Sequence, residues 1–292
     1  MKNTILKERI VKVIIYLALI IFALIIIVPV LWVFLAAFRP NSDFRGETAM
    51  TSPWSLPSEF RFDNFVEAWT TAKMGDYFLN SVIVTAVALA LLLVLAIPAS
   101  YVLARFKFPG KKILNTALMG GLFVNVSYIV VPIMLLLLSF DRAIGMTFFM
   151  NNKFILAVVL ASTALPFTIY LLESYFVTIP TAFEEAAYVD GAGYFKTMFS
   201  IMIPMAKPSV ITVILFNFLA FWNEYIVSIT LLSGDNVTLP VGIMNLSQAS
   251  QSKAEYGRMY AGLVLVMLPV LILYMFVQKK LTQGMTAGGV KG

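Results

Sequence analysis

The sequence predicts an all-α membrane protein with six transmembrane helices and both termini on the cytoplasmic side. Three observations predict it. Of the 292 residues, 60% are hydrophobic and 12% are charged, against roughly 25% charged in soluble domains, so polar surface is too scarce to cover a water-facing body. Uncharged apolar runs of about 20 residues, the length that crosses a hydrocarbon core, recur along the chain. Thirteen of the 21 Lys and Arg residues fall in the segments this topology places inside, as the positive-inside bias requires.

The elements follow in order. Residues 1–12 form a cytoplasmic N-terminus carrying Lys2, Lys7, Arg9 and Lys12. Residues 13–281 form the transmembrane domain, with spans at about 13–38, 77–104, 113–140, 154–175, 208–233 and 259–279, and residues 282–292 form a cytoplasmic tail. The first run is too long for a secretory signal and lacks a small-residue cleavage site, so it reads as an anchor. The fifth run is interrupted only by Glu224, and it counts as a span because both flanks are strongly apolar. Pro29, Pro98, Pro132, Pro166 and Pro269 lie within spans. Each proline frees a carbonyl that neighbours must satisfy, which suits a bundle with internal cavities.

The external loop 39–76 holds Pro53, Trp54, Pro57, Phe60, Phe62, Phe65 and Trp69. So many aromatic residues in a polar loop predict either a small cap able to dock a soluble partner or packing along the membrane surface. With no Cys and no His, the chain cannot build a disulfide, a His/Cys zinc site, a thiolate nucleophile or a His general base. The basic residues are scattered at membrane boundaries rather than gathered in a stripe, which fits membrane lipid and excludes nucleic acid as a partner.

The cytoplasmic loop 178–207 is the most informative segment: TIPTAFEEAAYVDGAGYFKTMFSIMIPMAK. Thr181 followed by Glu184 predicts a capping box. Gly191 is placed to end the helix in the left-handed conformation, and Gly193 keeps the turn open before a second short helix near Tyr194. Phe183, Ala186, Ala187 and Asp190 recur at helical spacing, a bulky anchor beside two small side chains. A helix–turn–helix held between two spans is a mechanical handle for a cytoplasmic partner.

Glu185-Ala186-Ala187, three residues, Gly191, nine residues, Ile201, one residue, Ile203 and Pro204 resemble the EAA loop of ABC importer permeases, with Ile203 where that family usually has Leu. SYVLARFKFPGKK, FDNFVEAW, FWNEYIVSITLLS and LTQGMTAGGVKG are similar, in the same order, to permeases of the carbohydrate-uptake class, particularly the maltose-type subunit. The resemblance implies a type I ABC importer permease fold in a bacterial cytoplasmic (inner) membrane, forming half of the pathway of an ATP-driven sugar importer. It implies as partners a second related permease, two ATP-binding subunits, an external solute-binding protein, and a sugar or oligosaccharide. Glu185, Ala186, Ala187, Gly191, Ile201 and Pro204 are carried over as the ATPase-coupling residues. No cofactor is expected on this chain, since ATP and Mg would sit on the partner ATPase subunits. The tail would reach into the ATPase dimer, unless it is simply a disordered end.

Glu224 is the second candidate, because a carboxylate at mid-span costs roughly 3 kcal/mol without a partner or a hydrated cavity. Asn217, Glu224 and Ser228 are spaced to share one helix face, and Phe221, Trp222 or Tyr225 could stack on the apolar faces of a sugar. Alternatively Glu224 sits near the outer end of the span and only hydrogen-bonds within the bundle. GMTAGGVKG lacks the spacing of a phosphate-binding loop. A secondary transporter would show internal repeats, and no second EAA loop stands in the first half. A membrane-embedded enzyme would need paired acids, a His or an activated Ser, and Glu224 is the lone acid well inside a span.

Overall fold

The computed structural model describes the backbone at residues 2–44, 54–253 and 255–289, and side chains throughout these except 2–8, 251–253, 277 and 279–289. Apolar runs with no water to pair their backbone must satisfy it internally, and every regular element described is a helix. Besides two short 3-10 turns, Asn41–Phe44 and Gly234–Asn236, these are in chain order α1 (Lys2–Ala37), α2 (Asp63–Trp69), α3 (Met74–Arg105), α4 (Lys111–Gly121), α5 (Val126–Ile144), α6 (Lys153–Thr178) and α7 (Ala182–Val189). There follow α8 (Tyr194–Thr197), a π turn (Met198–Met202), α9 (Ile203–Met205), α10 (Lys207–Trp222), α11 (Ile226–Leu231), α12 (Leu239–Lys253) and α13 (Tyr256–Gly289). Among the described residues, five helical stretches are long and apolar enough to span: Arg9–Ala37, Met74–Arg105, Val126–Ile144, Lys153–Thr178 and Tyr256–Phe276. A pair bent by 72°, Tyr194–Met205 with Lys207–Trp222, makes a sixth when counted as one span.

Several boundaries differ from expectation. The N-terminal segment is already helical from Lys2, and α13 continues through the tail to Gly289, while 290–292 lie outside the described residues. The run 113–140 is not one helix. It breaks after Gly121, because two successive glycines weaken the helix and Asn125 starts a new one by accepting from the Ser127 amide at 2.9 Å. A Cβ on Gly121 would lie 2.8 Å from Pro166 Cγ, so the glycine lets α4 approach α6. The fifth run breaks at Asn223–Tyr225, between α10 and α11. The helix α12 was not anticipated.

The chain forms two units. In the first (Met1–Met74, Ile243–Leu268), Ala37, Ala68 and Ala261 are fully buried with Val264, and Val33, Phe34, Phe65, Tyr260 and Leu265 pack around them. Asn64 of the FDNFVEAW stretch donates to the carbonyls of Ala37 and Arg39, each at 2.9 Å, which satisfies buried carbonyls at the C-terminal end of α1. The Phe38 ring meets Phe60, Phe62 and Phe65, so part of the loop's aromatic content packs on the end of its own span. The described apolar residues 10–28 of α1 are exposed, a face for lipid or another chain.

In the second unit (Gly75–Gly242, Pro269–Gly292), α3 presents Val84, Ala88, Leu92, Ala96 and Ser100, all buried and four residues apart. Small side chains on one stripe let neighbouring backbones come close, which is how helices associate without a hydrophobic drive in lipid. At the N-terminal end of α3, Asn80 donates to the carbonyls of Asp235 and Val237 at 2.8 and 3.0 Å and accepts from Lys153 at 2.8 Å. Ser81 accepts from the Leu239 amide at 2.8 Å.

Candidate functional site

The EAA segment lies where α6 ends. Thr178 is the last residue of α6, and α7 begins after Pro180 and Thr181. The expected capping box does not form: Thr181 stands at the N-cap position but its side chain makes no cap bond. Glu184 is drawn elsewhere, as described below. The end of α7 is as expected. Gly191 has φ +76°, the Ala192 amide donates to the Ala187 carbonyl at 2.9 Å and the Gly191 amide to the Tyr188 carbonyl at 3.0 Å, so the last carbonyls are satisfied by a left-handed glycine turn. Gly193 is extended and α8 starts at Tyr194.

Helical geometry divides α7 into two faces. Glu184 and Ala187 are buried, whereas Phe183, Glu185, Ala186, Tyr188, Val189 and Asp190 are exposed. The face grouped from spacing alone is therefore split, with Ala187 turned inward and Phe183, Ala186 and Asp190 outward. Val189 is 88% exposed, and Phe195 and Phe199 beyond the turn are exposed too. Of the other motif residues, Ile201 is half-buried against the core and Pro204 is exposed. The π turn immediately precedes Ile203 and Pro204, which widens the helix where the proline ring would otherwise crowd the carbonyl four residues back. At Ala206 the path bends by 72° into α10, with Pro208 in its first turn.

Two residues that the sequence did not single out, Tyr101 and Arg105, hold α7 in place through Glu184. Glu184 accepts a hydrogen bond from the Tyr101 hydroxyl at 2.6 Å and pairs with the Arg105 guanidinium at 3.1 Å. Arg105 also donates to the Ile179 carbonyl at 2.5 Å. Tyr101 is fully buried, with the rings of Phe176 and Tyr194 at 5.6 and 5.8 Å. The available signal was in SYVLAR: Tyr101 and Arg105 stand one turn apart on the same face of a span's last turns.

The second candidate group is partly assembled. A cavity of about 330 Å³ is lined by Asn217, Phe221 and Glu224 together with Asn125, Thr163 and Phe167. Because the span breaks after Trp222, Asn217, Glu224 and Ser228 do not share a helix face: Asn217 belongs to α10, Glu224 to the break and Ser228 to α11. Glu224 instead caps α11, accepting from the amides of Val227 and Ser228 at 2.8 and 2.9 Å, and so satisfies donors that the break leaves orphaned. Asn217 is buried and donates to Thr168 and to the Val213 carbonyl. The remaining candidates point elsewhere. Trp222 is buried between the rings of Phe218 and Phe78, Ser228 bonds Thr238 at 2.5 Å, and Tyr225 packs on the core. Among the described residues, no group of three or more His, Cys, Asp or Glu could hold a metal ion.

Residues 96–287 match the family described as "Binding-protein-dependent transport system inner membrane component". The chain belongs to that family. The permease is thus a multi-pass inner-membrane transport component. It is 35% identical over 92% of its length to the diacetylchitobiose uptake system permease protein NgcG of Streptomyces coelicolor, covering 86% of that protein. It is 30% identical to the maltodextrin transport system permease protein MalD of Streptococcus pneumoniae, with both chains covered completely. Its fold is similar to a chain of a bacterial ABC transporter involved in the import of the acidic polysaccharide alginate, with TM-score 0.74 and 22% identity over 94% of this chain and 97% of that one.

Proposed function

We propose that the permease imports a sugar or short oligosaccharide as one membrane subunit of an ATP-driven complex. The observation that carries the proposal is the helix–turn–helix α7–α8: the EAA spacing lies on it, and it presents Phe183, Tyr188, Val189 and Phe195 to the outside. Glu185 and Ala186 lie on that exposed face, Ala187 seats the helix, Gly191 turns it, and Ile201 and Pro204 set the second arm. In this reading the two ATP-binding subunits grip α7, and they, not this chain, hold ATP and Mg. A second related permease completes the pathway, and an external solute-binding protein delivers cargo. Curated relatives named for diacetylchitobiose, trehalose and maltodextrin transport support a sugar as cargo.

The cavity beside Asn217, Phe221 and Glu224 supports a polar solute path, because it sets amide, carboxylate and hydroxyl groups beside aromatic rings in an otherwise apolar bundle. Reconstitution with both ATP-binding subunits, the second permease and the binding protein tests the proposal. ATP hydrolysis and uptake should rise together for at least one mono- or oligosaccharide. Uptake driven by a proton gradient without ATP, or no stimulation by any sugar, would overturn it.

A further inference from the structure

Two glutamates stand side by side in α7, and successive residues of a helix point about 100° apart. Glu185 faces out, while the Glu184 side chain is 10% exposed and its partner Arg105 is 9% exposed. A buried carboxylate without compensation is costly, so its partners must be dedicated to it. They are two residues one turn apart at the end of α3, through the Tyr101 hydroxyl and the Arg105 guanidinium. The same guanidinium donates to the Ile179 carbonyl, immediately after α6. Arg105 therefore ties three pieces of chain together: it belongs to α3, donates to the carbonyl that follows α6, and pairs with α7.

We propose that Glu184, Arg105 and Tyr101 form a pin that makes α7 move as one body with the C-terminal ends of α3 and α6, so that force applied to α7 reaches two spans directly. The proposal rests on α7 being the coupling helix. The three are positioning residues: they touch neither nucleotide nor cargo. A bidentate guanidinium suits this place because its fixed fork can bond the carboxylate and a carbonyl together, which a lysine ammonium cannot match. Glu184→Gln keeps the shape and an acceptor for Tyr101 but removes the charge; Arg105→Lys keeps the charge and loses the fork.

The test uses the whole complex in nanodiscs or proteoliposomes, measuring cargo translocated per ATP hydrolysed. It also measures the distance distribution between nitroxides on cysteines introduced at Lys107 and Val189, with the partner subunits made cysteine-free. This chain has no native cysteine. Both variants should retain the ATP-binding subunits and basal hydrolysis. Cargo per ATP should fall by roughly two- to thirtyfold, and the distance distribution should broaden. Glu184→Gln combined with Arg105→Lys should be no worse than the poorer single variant, because the two share one interaction. An unchanged ratio and width, or losses that simply add, would overturn the pin. If Glu184→Gln does not insert, Tyr101→Phe, which deletes one hydroxyl, is read by the same two measurements. Ala186→Asp on the exposed face separates the two claims. If it leaves the ATP-binding subunits attached and uptake intact, the coupling role of α7 fails; if it releases them while Glu184→Gln changes nothing, the pin alone fails.

Discussion

Gly191 offers the sharpest perturbation of the helix–turn–helix, because two effects can be separated there. Its φ of +76° lies in the left-handed region, and a Cβ added to it would meet nothing within 4 Å. Sterics inside the chain therefore cost nothing, and what remains is the backbone penalty of an L-residue, about 1–2 kcal/mol, a five- to thirtyfold loss of the turned conformation. Asn tolerates this region better than Ala. The expected order of uptake is Gly, then Asn, then Ala, then Val, whose branched Cβ suits the region least. Asp resembles Asn in backbone tolerance and adds a charge beside exposed Val189 and Asp190. A gap between Gly191→Asn and Gly191→Asp therefore reports what docks against the turn, not the turn itself. The assay is ATP-dependent uptake in proteoliposomes, with retention of the ATP-binding subunits scored on the same samples. Equal activity of Gly191→Ala and the parent, or Asn as damaging as Val, would refute the backbone argument.

Three further outcomes are expected. Glu224→Ala removes the cap of α11 and should lower the thermal stability of the detergent-purified protein by about 1–2 kcal/mol, whereas Glu224→Asp, one methylene shorter, should lose less; fluorescence-monitored unfolding checks both. Ala88→Leu forces a large side chain into the closely packed stripe of α3 and should cost about 1–3 kcal/mol, read as reduced recovery of monodisperse protein, while Leu95→Ala on the exposed face of the same helix should leave recovery unchanged. Asn125→Ala, which uncaps α5, should cost about 1 kcal/mol in the same unfolding assay; no change would mean that the Gly120–Gly121 break alone sets the start of that span.

The long spans were legible because their signal is cumulative. Some 20 apolar residues in α1, α3 and α6 outvote any single polar one. The same averaging hid the breaks. Gly120 and Gly121 scarcely lower the hydropathy of the run 113–140, and Glu224 reads as one flaw in an apolar segment when it is the cap of a new helix. In the helix–turn–helix, Gly191 and Gly193 were legible since glycine at a helix end has few other uses. Glu184 was not. Thr181 and Glu184 satisfy a local capping pattern, and local chemistry was outcompeted by Tyr101 and Arg105, which only the folded chain brings near. Three of the residues lining the cavity, Asn217, Phe221 and Glu224, were named from sequence, but the shared helix face that grouped Asn217 and Glu224 with Ser228 assumed an unbroken helix.

The adjacent pair Glu184 and Glu185 shows how one helical turn serves two partners. Because neighbouring side chains on a helix diverge by about 100°, both carboxylates cannot face the bundle, and one turn on, at Tyr188 and Val189, α7 carries no acid to repeat either contact. The inward one is satisfied by a fork from α3, and the outward one keeps its charge in solvent at the N-terminal end of α7, where the helix dipole favours a carboxylate. Exchanging roles is therefore not conservative. Glu185→Gln should weaken retention of the ATP-binding subunits without altering the distance between α7 and the end of α3, and Glu184→Gln should do the reverse. If both substitutions shift both measurements equally, α7 is not divided into an anchored and a docking face, and force passes through it by some other contact.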